Sequence, residues 1–318
     1  MIAVLLRIVG ALLLLTALAL ALSRAPDREV QTLVARWALP PSDFIDVNGQ
    51  VVHVRDEGRR DDPLPVVLIH GTSASLHTWE GWVGALKGQR RVITFDLPGF
   101  GLTGPFSGRY APDDYQGDTY ARFVLDLLQV LRVPRAVVGG NSLGGEVAWR
   151  MAVMAPDRVA ALVLVDATGP KFTPQSVPLG FVVATVPVVN RIAEWVLPRS
   201  LVAQSLASLY GDPARVTPEL VDRYFELTLR EGNRHALAQR MQHLVIGEHA
   251  ERIVGIQQPT LILWGGRDRF VPPTVGRLFE QQIAGSRLVV FDDLGHVPHE
   301  EDPVRTVAPV KEFLLSLK

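Results

Sequence analysis

Gly140-Asn141-Ser142-Leu143-Gly144 is a G-x-S-x-G sequence set between a strand-like run, RAVVGG, and a helical run that starts at Gly144. A tight strand-to-helix reversal brings neighbouring backbones too close for a Cβ, so it needs glycine on both flanks. It also presents the serine hydroxyl above the sheet. The amide that follows, from Leu143, then sits at a helix N-terminus and can donate to a developing oxyanion. A serine hydroxyl is a poor nucleophile until a base removes its proton, and the base needs an orienting acid. Two residues follow strand-like runs where such partners belong: Asp268 directly after TLILWGG, and His296 directly after RLVVFDDLG. Residues just past the carboxyl ends of parallel strands converge on one crevice. The order Ser142, Asp268, His296 therefore reads as nucleophile, acid and base. Asp166, at the end of VAALVLVD, is the alternative acid. His299 is the alternative base, although its place at the start of a helix suits a capping or solvent-facing role better.

His70-Gly71-Thr72-Ser73 follows the strand-like run PVVLIH, the position for a second oxyanion donor, and Thr72 N–H is the candidate. His70 itself reads as a structural residue hydrogen-bonded beneath the loop. In Asp96-Leu97-Pro98-Gly99-Phe100-Gly101 the proline and glycines are assigned to the geometry of a sharp turn.

These positions need a frame. Phe44–Asn48 and Gln50–Gly58 flank an Asn48-Gly49 turn and predict a β-hairpin. Beyond it, the runs ending at His70, Asp96, Gly140 and Asp166 alternate with helical patterns, one of them capped by Asp118. Strands this apolar are buried on both faces, as the parallel centre of an α/β sheet requires. The rhythm stops at about Gly169 and resumes at Thr260. Between these points, helical stretches run from Phe181 to Leu197, Leu201 to Leu209, Glu219 to Arg230 and Arg234 to Leu244, with no comparable strand. The organisation predicted is an α/β core over 42–168 and 259–318, with an all-helical cap, 169–258, inserted between the sixth and seventh strands.

Composition narrows the chemistry further. The chain has 318 residues and no cysteine, so disulfides, thiolate nucleophiles and Cys-ligated metals are excluded. A net charge of -1 offers no basic excess for a phosphate backbone, which argues against nucleic acid as a partner. The anomaly is residues 1–22, MIAVLLRIVGALLLLTALALAL, where Arg7 is the one charged side chain. As a helix this run rises roughly 33 Å, close to the thickness of a bilayer core. It is read as a retained transmembrane anchor. The alternative is a signal peptide cleaved near Ala19-Leu20-Ala21, giving a secreted or periplasmic protein. Arg7 on one flank and Arg24, Arg28 and Arg36 on the other leave the orientation open. Residues 23–41 read as a tether with a short helical piece, closed by Pro40-Pro41.

Taken in order and spacing, HGTSASLHTW, DLPGFGLTG, GNSLGG, WGGRDRFVP and LGHVPHEEDP resemble the α/β-hydrolase superfamily over about Phe44 to Lys318. The resemblance implies a mostly parallel eight-stranded sheet with an antiparallel edge pair, a helical cap over the site, and neither cofactor nor metal. Haloalkane dehalogenases and epoxide hydrolases are similar in architecture but carry Asp at the elbow, where this chain has Ser142. The elbow and the WG-x-RD-x-FVP turn also look like those of meta-cleavage-product hydrolases, which break C–C bonds. Those enzymes usually carry a glycine-rich oxyanion loop, and HGTSAS departs from it. The expected activity is therefore that of a serine hydrolase on an apolar carboxylic ester. C–C hydrolysis and a catalytically silent ligand-binding protein stand as alternatives. The apolar residues Phe181, Val182, Val183, Val188, Val189, Ile192 and Trp195 predict a lid helix packed on the core, or one that contacts acyl chains.

Overall fold

The apolar runs of the sequence become the strands of one sheet. The computed structural model describes residues 2–111 and 115–317; the side chains of Ala3, Ala19, Leu20, Leu22, Pro187, Val188 and Ile192 lie outside that description. The chain runs through α1 (Ile2–Leu22) and α2 (Val30–Trp37) into a hairpin of β1 (Asp43–Val47) and β2 (Gln50–Gly58). Asn48 and Gly49 take φ values of 55° and 88° at its turn, the left-handed pair that a two-residue hairpin loop needs. Then follow β3 (Val66–Ile69), α3 (Glu80–Leu86), β4 (Arg91–Phe95), α4 (Gly117–Val130), β5 (Ala136–Asn141), α5 (Leu143–Met154) and β6 (Val159–Val165). The inserted helices are α6 (Leu179–Thr185), α7 (Pro187–Ala193), α8 (Arg199–Ala207), α9 (Pro218–Thr228) and α10 (Asn233–His243). The core closes with β7 (Thr260–Gly265), α11 (Pro273–Gln282), β8 (Arg287–Phe291), α12 (Pro298–Glu301) and α13 (Pro303–Ser316).

The eight strands lie in the order β1-β2-β4-β3-β5-β6-β7-β8. β2 is antiparallel to both of its neighbours, and every pairing from β4 to β8 is parallel. Alternation along β3 divides the core. Val67 and Ile69 face the layer built with α4, α5 and α11, while Val66 and Leu68 face the layer of Trp79, Trp82 and α13. Burial on both faces explains the unbroken apolar runs of β3, β5, β6 and β7.

Several sequence expectations are corrected here. The anchor expected over residues 1–22 is one, and with it the membrane as a partner and as the location. Among the described residues no helix is long and apolar enough to cross a membrane. A crossing takes about 20 consecutive apolar residues. Arg7 interrupts the apolar run of α1. Met1 and the side chains of Ala19 and Leu20, on which the cleavage-site alternative rests, lie outside the described residues. The single helical stretch expected over Phe181–Leu197 is two helices. Val186, preceding Pro187, is extended at φ -91° and ψ 112°, as a residue before proline tends to be. Asp118 is no cap either: Gln116 takes that position, and Asp118 accepts from Arg150 Nη1 at 2.7 Å.

Residues 23–41 are seated on the inserted helices. Ala25 N donates to Trp195 O at 2.9 Å, Leu197 N to Ser23 O at 3.1 Å, and Arg28 N to Leu229 O at 2.6 Å. Asp27 accepts from the Arg234 guanidinium and from Gly232 N. On α2, Leu33 is 1% exposed and packs with Leu102 and Leu227, joining the N-terminal segment, the core and α9. Leu33→Ala leaves a cavity at this junction, and we expect a loss of about 2–3 kcal/mol in urea unfolding. A change under about 0.5 kcal/mol, the range of ordinary surface substitutions, shows that the segment is not seated as described.

Candidate active site

The turn from β5 to α5 allows no side chain beyond what the sequence supplies. A Cβ on Gly140 would lie 2.2 Å from the Gly144 carbonyl carbon, and one on Gly144 would lie 2.0 Å from Ile69 O. Ser142 between them takes φ 54° and ψ -116° and is 6% exposed. This is a left-handed conformation that costs a non-glycine residue on the order of 1–3 kcal/mol. Surrounding hydrogen bonds hold it there. Ser142 N donates to Val165 O at 3.1 Å, while Ser142 O accepts from Glu146 N at 3.0 Å and Thr168 N at 3.2 Å.

Asp268 and His296 are brought together by the loops after β7 and β8, which are joined backbone to backbone. Gly266 N donates to Phe291 O at 2.7 Å and Arg267 N to Leu294 O at 2.9 Å. A Cβ on Gly265 would lie 1.8 Å from Gly295 O. Asp268 Oδ1 accepts from Phe270 N at 2.8 Å and Val271 N at 2.9 Å, which aims Oδ2 at His296 Nδ1, 2.6 Å away. The His296 loop meets the elbow through Asn141, whose Nδ2 donates to His296 O at 2.9 Å and Val165 O at 3.1 Å. Glu301 secures the loop from below, accepting from Gly295 N at 2.8 Å, Gly211 N at 3.0 Å and Asp212 N at 2.8 Å.

Thr72 lies beside this group. A Cβ on Gly71 would come within 3.2 Å of Ser142 Cβ, so the loop after β3 and the elbow are in contact. Leu143 opens α5, where an N–H has no partner in a preceding turn. Beneath the loop, Leu97 N donates to His70 Nε2 at 2.9 Å, which places the ring proton on Nδ1, donating to Gly71 O at 2.7 Å. Burial pushes His70 below its ordinary value, so it stays neutral and structural, as its position predicted.

Asp96, read from sequence only as the start of a turn, is the hub of this half of the site. Its carboxylate is fully buried and accepts from Leu76 N at 2.7 Å, Leu102 N at 2.8 Å and His53 Nδ1 at 2.7 Å. Burial opposes its charge, but the His53 imidazole and these donors hold it well below the usual carboxylate range. Nearby His77 is pushed down by burial to about 4 and donates or accepts as a neutral ring. His299 departs from its expected capping or solvent-facing place. It is fully buried, 2.9 Å from Thr78 Oγ1 through Nε2, with its ring centroid 4.0 Å from that of Trp79. Burial, then the charge of His296, holds it well below its ordinary value.

Asp166, Asp268 and His296 also have the spacing of a three-ligand metal set, their ligand atoms lying within 4.8 Å of one another. The 2.6 Å contact between His296 Nδ1 and Asp268 is a hydrogen bond and leaves no space for an ion between them. A cavity of about 260 Å³ reaches Thr72 and Ser73 and is walled by Phe181, Val183, Leu201 and Leu206 of the inserted helices. Ser142 and His296 are not in its wall, and it meets the site at the Thr72 loop. Phe270, missed in the sequence, sets its ring edge-on to His296 at 5.1 Å and touches Phe181 at 5.7 Å. Its place in the RDRFVP turn, two residues after Asp268, was the available signal.

A family model described as the alpha/beta hydrolase fold matches residues 65–303. A dihydrolipoyllysine-residue acetyltransferase component of the acetoin cleaving system of Pseudomonas putida is 30% identical over 240 residues, 74% of this chain and 60% of that protein. A 2-hydroxy-6-oxo-2,4-heptadienoate hydrolase of Pseudomonas putida is 30% identical over 262 residues, covering 79% of this chain and 88% of that protein. The crystal structure titled as a membrane phospholipase A and novel bacterial virulence factor superposes with a TM-score of 0.71 over 99% of this chain and 96% of its own. At 23% identity that is a likeness of fold alone.

The sign of the Asp96 contribution follows from its lowered carboxyl. The stabilisation is complete above the unfolded value of about 3.9 and is lost as pH falls from there toward the folded value. Asp96→Asn should therefore be less stable than the parent at neutral pH, and the gap should close on acidification below about pH 4. Urea unfolding across that range checks it, and a gap independent of pH contradicts the assignment.

Proposed function

The chain belongs to the alpha/beta hydrolase fold family, and from that premise we propose that it is a serine hydrolase of apolar carboxylic esters. The observations that carry the reading are Ser142 held at φ 54° on the elbow, the neighbouring Asn141 bonded to His296 O at 2.9 Å, and His296 Nδ1 fixed by Asp268 at 2.6 Å. With Nδ1–H donated to Asp268, Nε2 is the free basic nitrogen. It takes the Ser142 proton as Oγ bonds to the substrate carbonyl carbon. The amides of Thr72 and Leu143 receive the oxyanion. Collapse of the tetrahedral intermediate breaks the bond to the alcohol oxygen, and the His296 imidazolium, balanced by Asp268, returns the proton to that oxygen. Water then repeats the sequence on the acyl-enzyme.

The apolar lining of the cavity at Thr72 supports an acyl group of some length. Each buried CH₂ contributes about 0.8 kcal/mol. A second reading, hydrolysis of a C–C bond next to a ketone, is favoured by the 30% identity to the heptadienoate hydrolase. The HGTSAS loop, without the glycine run usual in such enzymes, favours the ester.

Ser142→Ala should lower kcat/KM for p-nitrophenyl esters by at least about 10⁴-fold while leaving the far-UV spectrum and melting curve unchanged. For the parent enzyme, kcat/KM should rise by up to about 4-fold per added acyl CH₂ until the cavity is filled. A panel of esters and vinylogous diketones run on both proteins decides between the readings. Ester turnover that survives in Ser142→Ala, or turnover of the diketones alone, overturns the proposal.

A further inference from the structure

Asp166 is a buried acid that the sequence of steps above does not use. It directly follows β6 at φ 43°, a left-handed conformation that a non-glycine residue keeps only where its surroundings impose it. Its exposure is 0%. Oδ1 accepts from Gly265 N at 2.9 Å, the amide at the end of the strand that leads to Asp268. Oδ2 is equally buried and has no hydrogen-bond donor among the described residues. Ligand atoms of Asp166, Asp268 and His296 lie within 4.8 Å of one another.

Two carboxylates at that separation in a buried site do not both stay ionised. Which one keeps the proton follows from their donors. Asp268 accepts from two amides and from His296, whereas Asp166 accepts from one amide. The Glu301 carboxylate of α12 also disfavours a further anion at Asp166. Burial, followed by the charge of Asp268, pushes the Asp166 carboxyl well above the usual range. Protonation turns Oδ2 from an acceptor without a donor into a donor, with Asp268 as the acceptor in reach.

We propose that Asp166 is a positioning residue of the triad: its Oδ2–H holds the Asp268 carboxylate, and its place beside His296 lets it become the orienting acid when Asp268 is neutralised. The proposal rests on the Ser142-His296-Asp268 reading and deepens it. In Asp268→Asn the neighbouring charge is gone, so Asp166 ionises more readily, though burial still delays it. It then accepts from His296 Nδ1 in place of Asp268. The proton that Asp166 loses on ionising goes to solvent, and no other bond is made or broken.

The test is a cycle of the parent, Asp166→Asn, Asp268→Asn and the double variant. Two quantities are read from neutral to alkaline pH: the rate of fluorophosphonate labelling of Ser142, and kcat/KM for a p-nitrophenyl ester. Asp268→Asn should exceed the double variant by about 10-fold or more at alkaline pH, a small part of the roughly 10⁴ that loss of the triad acid costs. The gap should narrow toward neutrality as Asp166 takes up its proton. Asn at 166 keeps a donor for Asp268, so Asp166→Asn should stay more active than Asp166→Leu; a purely structural role gives no pH-dependent gap. Coincident profiles for Asp268→Asn and the double variant overturn the proposal, as does an Asp166→Asn variant as slow as Asp268→Asn. If the double variant does not fold, Asp268→Asn alone decides. A second rise in labelling above the histidine step supports the proposal, and its absence overturns it. Failure of the underlying reading looks different, because Ser142→Ala would then still be labelled or still turn over ester.

Discussion

The α5 N-terminus rests against the end of β3, with the Gly144 Cα so close to Ile69 O that a Cβ there would sit 2.0 Å from it. This contact sets the distance between the two strands whose ends carry Ser142 and Thr72. It is made of backbone, and backbone at the centre of a sheet paired on both sides cannot relax as a side chain can. The unfavourable φ of Ser142 persists because the end of β6 and the loop after it clamp it through Val165 O and Thr168 N. Ser142, the Thr72 loop and the helix N-terminus are thereby held as one unit.

Buried carboxylates attach the remaining loops to that unit. Asp96 gathers the amides of Leu76 and Leu102, and Glu301 gathers those of Gly211, Asp212 and Gly295. Asp268 does the same for Phe270 and Val271 before it turns its second oxygen to His296. In each case the buried carboxyl oxygens are met by backbone amides of the loops they join. A carboxylate has several acceptor positions on one small group. It can pin several loop amides at once, which no neutral side chain of that size does.

The sheet and the elbow were legible in the sequence because their signals are local. Apolar runs alternating with helical patterns, and glycines two residues either side of Ser142, need no knowledge of distant contacts. The positions of Asp268 and His296 after strands were legible for the same reason. What lay beyond reading was proximity between loop ends. Asp166 and Asp268 lie just past neighbouring strands, yet only the sheet order puts their carboxyls together. His299 looked like a helix-start residue, and nothing local announces the Trp79 ring that covers it. Asp96 was hidden by its turn, since the glycine that gives it space, Gly101, reads as an ordinary turn residue. Residues 23–41 looked like a free tether because the contacts that seat them come from the other end of the inserted segment.

Those last contacts have a bearing on how the chain is made. Asp27 pairs with Arg234, 207 positions later, and Arg28 pairs with Leu229 and Glu231. During vectorial synthesis residues 23–28 emerge early and have nothing to bind until the ribosome has delivered the far side of the inserted helices. Both Trp195–Leu197 and Leu229–Arg234 must be present before the early segment can bridge them. Contacts so distant along the chain form late and slowly, so the first-made part of this region is among the last to be seated.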